Sequence, residues 1–305
     1  MLGIFSLISI VYLGIAGYTL VQVVARWSAL WSPSPGSEAQ HLTRRAAFFL
    51  LIPPTVALHE LGHAAAIWAI GQRVEDWFFL GFVGAVVHRP AGPIGNFVAA
   101  LAGNVVTLAI GIGAIAFGLF RVGHPTRNLA ALELGRQSCF LVLVFYPLLC
   151  LGFDGDFTTI YDFASTPVAS ALTAIAHALI LAIGYGRIWR RRWLPRARLV
   201  TGPAADQLSS AEARLRTDPR DGAAHRVLGE LLLAAGDARR AIGHLKAALE
   251  SHPDPRIELA LGLALLETGQ PAAAIAPLRA ARDRLFRPED RRAAEEALAR
   301  ADAAR

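Results

Sequence analysis

Apolar positions fall in long unbroken runs through the first 186 residues, and from about residue 204 they recur at helical spacing among Arg, Glu and Asp. The run over residues 3–24 has the length of a membrane span. No basic segment precedes it and no small-x-small site ends it, so it reads as a span rather than a cleaved leader. Residues 26–45 hold Ser32-Pro33-Ser34-Pro35-Gly36-Ser37 and read as a loop. A second span covers 46–70, where Pro53 and Pro54 predict a kink or local break. Residues 74–88 are aromatic and β-branched with Gly81 and Gly84 interposed, which predicts a strand or hairpin dipping into the membrane. Further spans are expected from Gly92 to about Phe120, over 137–153, and over 167–189. The pattern predicts an all-α membrane protein: about five transmembrane helices with a short membrane-embedded β element, then a soluble α-helical repeat domain.

The repeat is legible in its small residues. Leu228-Gly229, Gly236, Ala241, Leu245, Ala248-Leu249 and Pro253 follow tetratricopeptide spacing. A second copy, one residue shorter, has Leu261-Gly262, Gly269, Ala274, Leu278 and Ala281, and a partial copy ends at Asp218-Pro219. Small residues at these positions let antiparallel helices approach closely, and stacked repeats share a core. Residues 288–305 are expected to form a polar capping helix. The expected domains are therefore 1–200, a polytopic membrane unit, and 201–305, a helical repeat unit that takes a protein partner.

Composition agrees with this division. Hydrophobic residues make up 54% of the 305 residues, and mean hydropathy is +0.42, too apolar for an ordinary soluble chain. The net charge of +6 does not indicate nucleic acid. Much of the excess lies in Arg187, Arg190, Arg191, Arg192, Arg196 and Arg198, directly after an apolar run, where it reads as a juxtamembrane anchor. Cys139 and Cys150 lie eleven residues apart in one apolar segment, too distant along a helix to bridge, and read as small buried hydrophobes.

The second span carries His59-Glu60-Leu61-Gly62-His63. Residues four apart share a helix face, so both imidazoles can reach one metal ion. Glu60 stands beside the first ligand, placed to take a proton from water there without binding the metal itself. Zinc in catalytic sites takes three protein ligands, so a third must come from elsewhere. Other polar residues in the runs read more simply: Asn104 as interhelical glue, His177 as a packing residue, and Tyr161 and Asp162 as interfacial residues.

With this motif in an apolar helix, followed by Gly92-Pro93-Ile94-Gly95-Asn96 and by Asp154-Gly155, residues 46–160 resemble the site-2 protease family of intramembrane zinc metalloproteases. The resemblance implies that His59, His63 and Asp154 bind Zn2+, that Glu60 is catalytic, and that Asn96 has a polar role near substrate. The family's N-x-x-P ahead of its D-G has no counterpart here, since Pro147 stands seven residues before Asp154. Asp156 is therefore the competing third ligand.

The function expected is hydrolysis of peptide bonds in membrane-spanning protein substrates, with the repeats recruiting a substrate or regulator. The alternative is a catalytically inactive membrane scaffold that presents the repeats. A transporter is disfavoured because neither paired interrupted spans nor repeated halves are visible. The expected setting is a multi-pass protein in the lipid bilayer of a plasma or inner membrane. Arginine bias puts the repeats in the cytoplasm, and five spans would put the acidic turn with Asp154, Asp156 and Asp162 outward.

Overall fold

Prolines decide where the long helices of the N-terminal half change pitch. After α1 (Leu2–Ala25) and the short α2 (Trp27–Leu30), α3 (Ser37–Ala46) runs into a π-helical turn, Ala47–Leu51, and then α4 (Ile52–Ala69). Pro53 and Pro54 supply no N–H, so carbonyls one turn earlier lose their helical partners. The wider π turn absorbs this, and the hydroxyl of Tyr12 on α1 donates to the carbonyl of Phe48. The kink or local break expected from the two prolines takes the form of a π turn. Residues 37–46, expected within a loop, are helical. Arg44 and Arg45 accordingly stand on a helix, with Arg44 reaching Glu133 at 3.5 Å.

Strands β1 (Val74–Phe79) and β2 (Gly84–His88) form a two-stranded antiparallel hairpin with a register irregularity between Val74 and Asp76. The chain reverses through Leu80–Val83, where Gly81 adopts φ +77° and the Leu80 N–H meets the Val83 carbonyl at 2.8 Å. A side chain at 81 would strain that turn and collide with Leu13 of α1.

Helix α5 (Gly92–Phe120) is followed by α6 (Pro125–Phe140), a second π turn at Leu141–Phe145, and α7 (Tyr146–Leu149). The fourth apolar run therefore starts at Pro125, a dozen residues earlier than its hydropathy suggests. Arg127 and Arg136 belong to this helix, and Arg136 pairs with Glu133 at 2.7 Å. After α8 (Asp156–Ile160) comes α9 (Pro167–Ile180). Among the described residues, four helices are long and apolar enough to cross a membrane: Leu7–Ala25, Gly92–Phe120, Pro125–Leu149 and Pro167–Gly184. The motif helix α4 is not among them, because two prolines, two histidines and a glutamate offset its aliphatic residues.

The computed structural model describes residues 2–121, 123–184 and 194–304, and the chain folds as two units, Met1–Arg190 and Arg191–Arg305. Arg187, Arg190, Arg191 and Arg192, and the expected end of the last span at Trp189, lie outside the described residues.

In the second unit, α10 (Leu194–Thr201), α11 (Ala205–Thr217), α12 (Gly222–Ala234), α13 (Ala238–Ser251), α14 (Pro255–Glu267), α15 (Pro271–Arg284) and α16 (Pro288–Ala303) follow in order. Helix α10 joins the repeat helices through an Arg196–Glu212 ion pair at 2.8 Å. Ala241, Leu245, Ala274 and Leu278 are fully buried. A Cβ at Gly229 would sit 2.7 Å from the Leu245 side chain, and one at Gly262 would sit 2.4 Å from that of Leu278. These contacts give the glycines their place in the repeat. Asp221, Asp237 and Asp254 cap α12, α13 and α14 by accepting from backbone N–H groups, each worth about 0.5–2 kcal/mol. Helix α16 closes the stack, with Ala294 packed on Ala281 and Leu285.

Candidate metal centre

Helix α4 places His59 and His63 one turn apart, and both rings turn inward toward α5. The close approach of these helices depends on two glycines. A Cβ at Gly103 of α5 would lie 2.4 Å from His63 Nε2, and one at Gly62 would lie 2.9 Å from Val106 and 3.1 Å from the Ala102 carbonyl.

Each imidazole is held by its Nδ1 side. His63 Nδ1 lies 2.7 Å from the Ala99 carbonyl, which can only accept, so the proton is on Nδ1 and the Nε2 lone pair faces the site. His59 Nδ1 lies 2.9 Å from Thr107 Oγ1. Hydrogen bonds of this kind fix the tautomer and orientation of metal-binding histidines.

The carboxylate brought to them belongs to Asp156. Its Oδ2 lies 3.3 Å from His59 Nε2 and 3.2 Å from His63 Nε2, and the two Nε2 atoms are 2.9 Å apart. These three residues form the one group of His, Cys, Asp or Glu among the described residues whose ligand atoms could hold a metal ion. Asp154, the third ligand expected from sequence, is not in this group. Asp154 is exposed on the turn before α8, while Asp156 is the first residue of that helix. Asn104 Nδ2 donates to Asp156 Oδ2 at 2.8 Å and to the Ala100 carbonyl at 2.9 Å, so this asparagine orients the carboxylate as well as joining helices.

The donor set fits zinc. Ligand atoms at ordinary Zn–N and Zn–O lengths in a tetrahedron stand about 3.3 Å apart, close to the separations here. Both Nε2 atoms and Asp156 Oδ2 face one another, each ligand side chain is held by a neighbouring polar group, and the site opens on a cavity.

That cavity has a volume of about 640 Å³ and is lined by His59, Glu60, His63 and Asp156 together with β2 and the Leu141–Leu149 segment. Glu60 is buried, and β2 lies directly on it: a Cβ at Gly84 would stand 2.5 Å from Glu60 Cγ. Asn96 also lines the cavity, with its Oδ1 accepting from the Ala91 N–H at 2.9 Å. Tyr146 contributes its ring beside His59, at 6.4 Å between centroids, and its hydroxyl accepts from the Asp156 N–H at 3.3 Å. Tyr146, Thr107 and Asn104 carry no motif, and their role here is visible only once the helices are packed.

A tetratricopeptide-repeat family model matches residues 204–253 and 227–289, so helices α11 to α15 are repeats of that kind. No curated protein and no solved structure matches the chain.

Proposed function

We propose that the N-terminal unit is a membrane-embedded zinc metallopeptidase that cleaves membrane-spanning protein substrates, and that the repeats bring a protein substrate or regulator to it. The observation that carries this reading is the convergence of His59, His63 and Asp156 beside Glu60, at the wall of a largely apolar cavity. The four apolar helices support placement in a lipid bilayer.

In this reading His59, His63 and Asp156 hold the ion, and zinc supplies Lewis acidity toward a carbonyl and a lowered pKa for water. Glu60, kept from the ligand set, takes the proton of the attacking water and returns it to the leaving amine. Thr107, Ala99 and Asn104 keep the three ligands aligned. A helical substrate must unwind first, because its amides are engaged with one another. Strand β2 borders the cavity and has one unpaired edge among the described residues, which suits it to pair with an extended peptide.

The test is Glu60→Gln in purified protein. Zinc should remain bound while cleavage of a model transmembrane substrate falls at least about a hundredfold, the low end for a positioned acid–base group. Cleavage near the wild-type rate would sink the peptidase reading, and zinc binding without cleavage by the wild type would favour the scaffold.

A further inference from the structure

Asp156 comes from a segment with little regular structure of its own. Residues 150–155 are turn and bend, and α8 is only five residues long. Phe97 of α5 packs on it from one side, and a second anchor comes from the last apolar helix.

Pro147 has no N–H, so the carbonyl of Leu143, its helical partner four residues earlier, is released. The π turn at Leu141–Phe145 exposes that carbonyl, and His177 Nε2 on α9 lies 2.7 Å from it. A carbonyl only accepts, so the His177 proton is on Nε2 and the Nδ1 lone pair is available. The hydroxyl of Tyr161 donates to Nδ1. Tyr161 caps the C-terminus of α8, the helix that Asp156 begins, with its N–H on the Phe157 carbonyl at 3.0 Å. One imidazole thus joins residue 143 to residue 161, the two ends of the segment that presents Asp156. The space between is filled by Phe157, whose ring lies 5.7 Å from Tyr146, 5.4 Å from Tyr161 and 6.1 Å from His177. Phe157 and Ile160 are buried beneath the turn.

We propose that His177 and Tyr161 are positioning residues for the metal centre: the imidazole replaces the amide proton that Pro147 lacks and holds Asp156 against His59 and His63. This rests on the metal reading above. The packing role assigned to His177 from sequence is thereby made specific, and Tyr161 becomes more than an interfacial residue.

The experiment measures zinc affinity by chelator competition on the purified full chain, with helicity followed by circular dichroism. His177→Ala should weaken zinc binding about tenfold, the low end for residues that orient a ligand, with helicity unchanged. His177→Gln, whose side-chain amide can donate to the same carbonyl, should recover most of the loss. Hydrogen exchange should rise in α8 and stay unchanged in α4 and α5. Wild-type affinity in a folded His177→Ala protein overturns the proposal and leaves the metal reading standing. Failure of the wild type itself to bind zinc overturns both, and is distinguishable because it precedes any substitution. If His177→Ala does not fold, Tyr161→Phe, which lacks one hydroxyl, carries the same test. A loss of about threefold supports the proposal, and unchanged affinity overturns it.

Discussion

Replacing Asp156 by alanine should strip the metal centre, and replacing Asp154 should not. The three ligand atoms of His59, His63 and Asp156 lie within 4.8 Å of one another. Asp156 Oδ2 is the sole oxygen in that set, so Asp156→Ala leaves two imidazoles facing the cavity. Residues that only orient a ligand are worth 10–100-fold in metal affinity. Loss of the ligand itself should exceed that, at least about a hundredfold or ~2.7 kcal/mol. Asn104→Ala should fall between, at about 10–100-fold, because it removes the 2.8 Å hydrogen bond to Oδ2 while leaving the carboxylate in place. Asp154→Ala, on an exposed turn, should cost less than about threefold, or ~0.6 kcal/mol. Zinc affinity measured against a chromogenic chelator, on protein purified in detergent, ranks the three. An Asp154→Ala protein that loses zinc as completely as Asp156→Ala would refute this geometry, and an Asn104→Ala protein indistinguishable from wild type would refute the orienting role.

Three other outcomes are expected. Gly84→Val should reduce cleavage much more than zinc affinity, because its Cβ would displace Glu60 from 2.5 Å away without touching a ligand; equal losses in both would count against that separation. Residues 194–304 expressed alone should be soluble and helical, and Leu245→Ala should destabilise them by about 2–5 kcal/mol in urea unfolding; an unchanged midpoint would contradict the packing of α12 on α13. His244 is held below its ordinary pKa by burial and then by His225 and Arg240, against a smaller opposing pull from Glu212, and its Nδ1 lies 2.9 Å from that of His225. A folded pKa below the unfolded value of about 6.5 means the unfolded chain binds more protons. Stability is therefore full above that value and falls as pH drops toward the lower folded one; His244→Gln should flatten the decline, and an identical pH profile would contradict this.

The parts of the fold that local pattern determines were legible in the sequence. The repeat spacing located Gly229 and Gly262, where helix contact tolerates no side chain, and the aromatic and β-branched run over 74–88 located the hairpin. The helix 125–140 was misjudged because it carries Glu133, Arg136 and Gln137 amid its apolar residues. Glu133 meets Arg136 and Arg44, and Arg44 comes from α3, a distant segment whose sequence reads as a loop. Pairing across more than eighty residues leaves no periodic trace in either stretch.

That Asp156 rather than Asp154 reaches the histidines is hidden in the sequence for a related reason. Sequence reasoning gave weight to Asp154 because a glycine follows it. In the fold, Gly155 is small because the chain passes close to α7: a Cβ there would lie 2.8 Å from the Tyr146 hydroxyl and 2.9 Å from Cys150 Sγ. That approach lets the Tyr146 hydroxyl receive the Asp156 N–H and swings the next side chain, rather than the preceding one, toward the histidines. The glycine therefore marks a tight passage on the way to the ligand, and the carboxylate on its far side is the one delivered. The same passage explains why the segment needs help from elsewhere. A turn narrow enough to require glycine has few side chains with which to anchor itself, so its neighbours supply the anchors: Phe97 of α5 packed on Phe157 and Ile160, Asn104 on the Asp156 carboxylate, and the His177–Tyr161 contact at its ends.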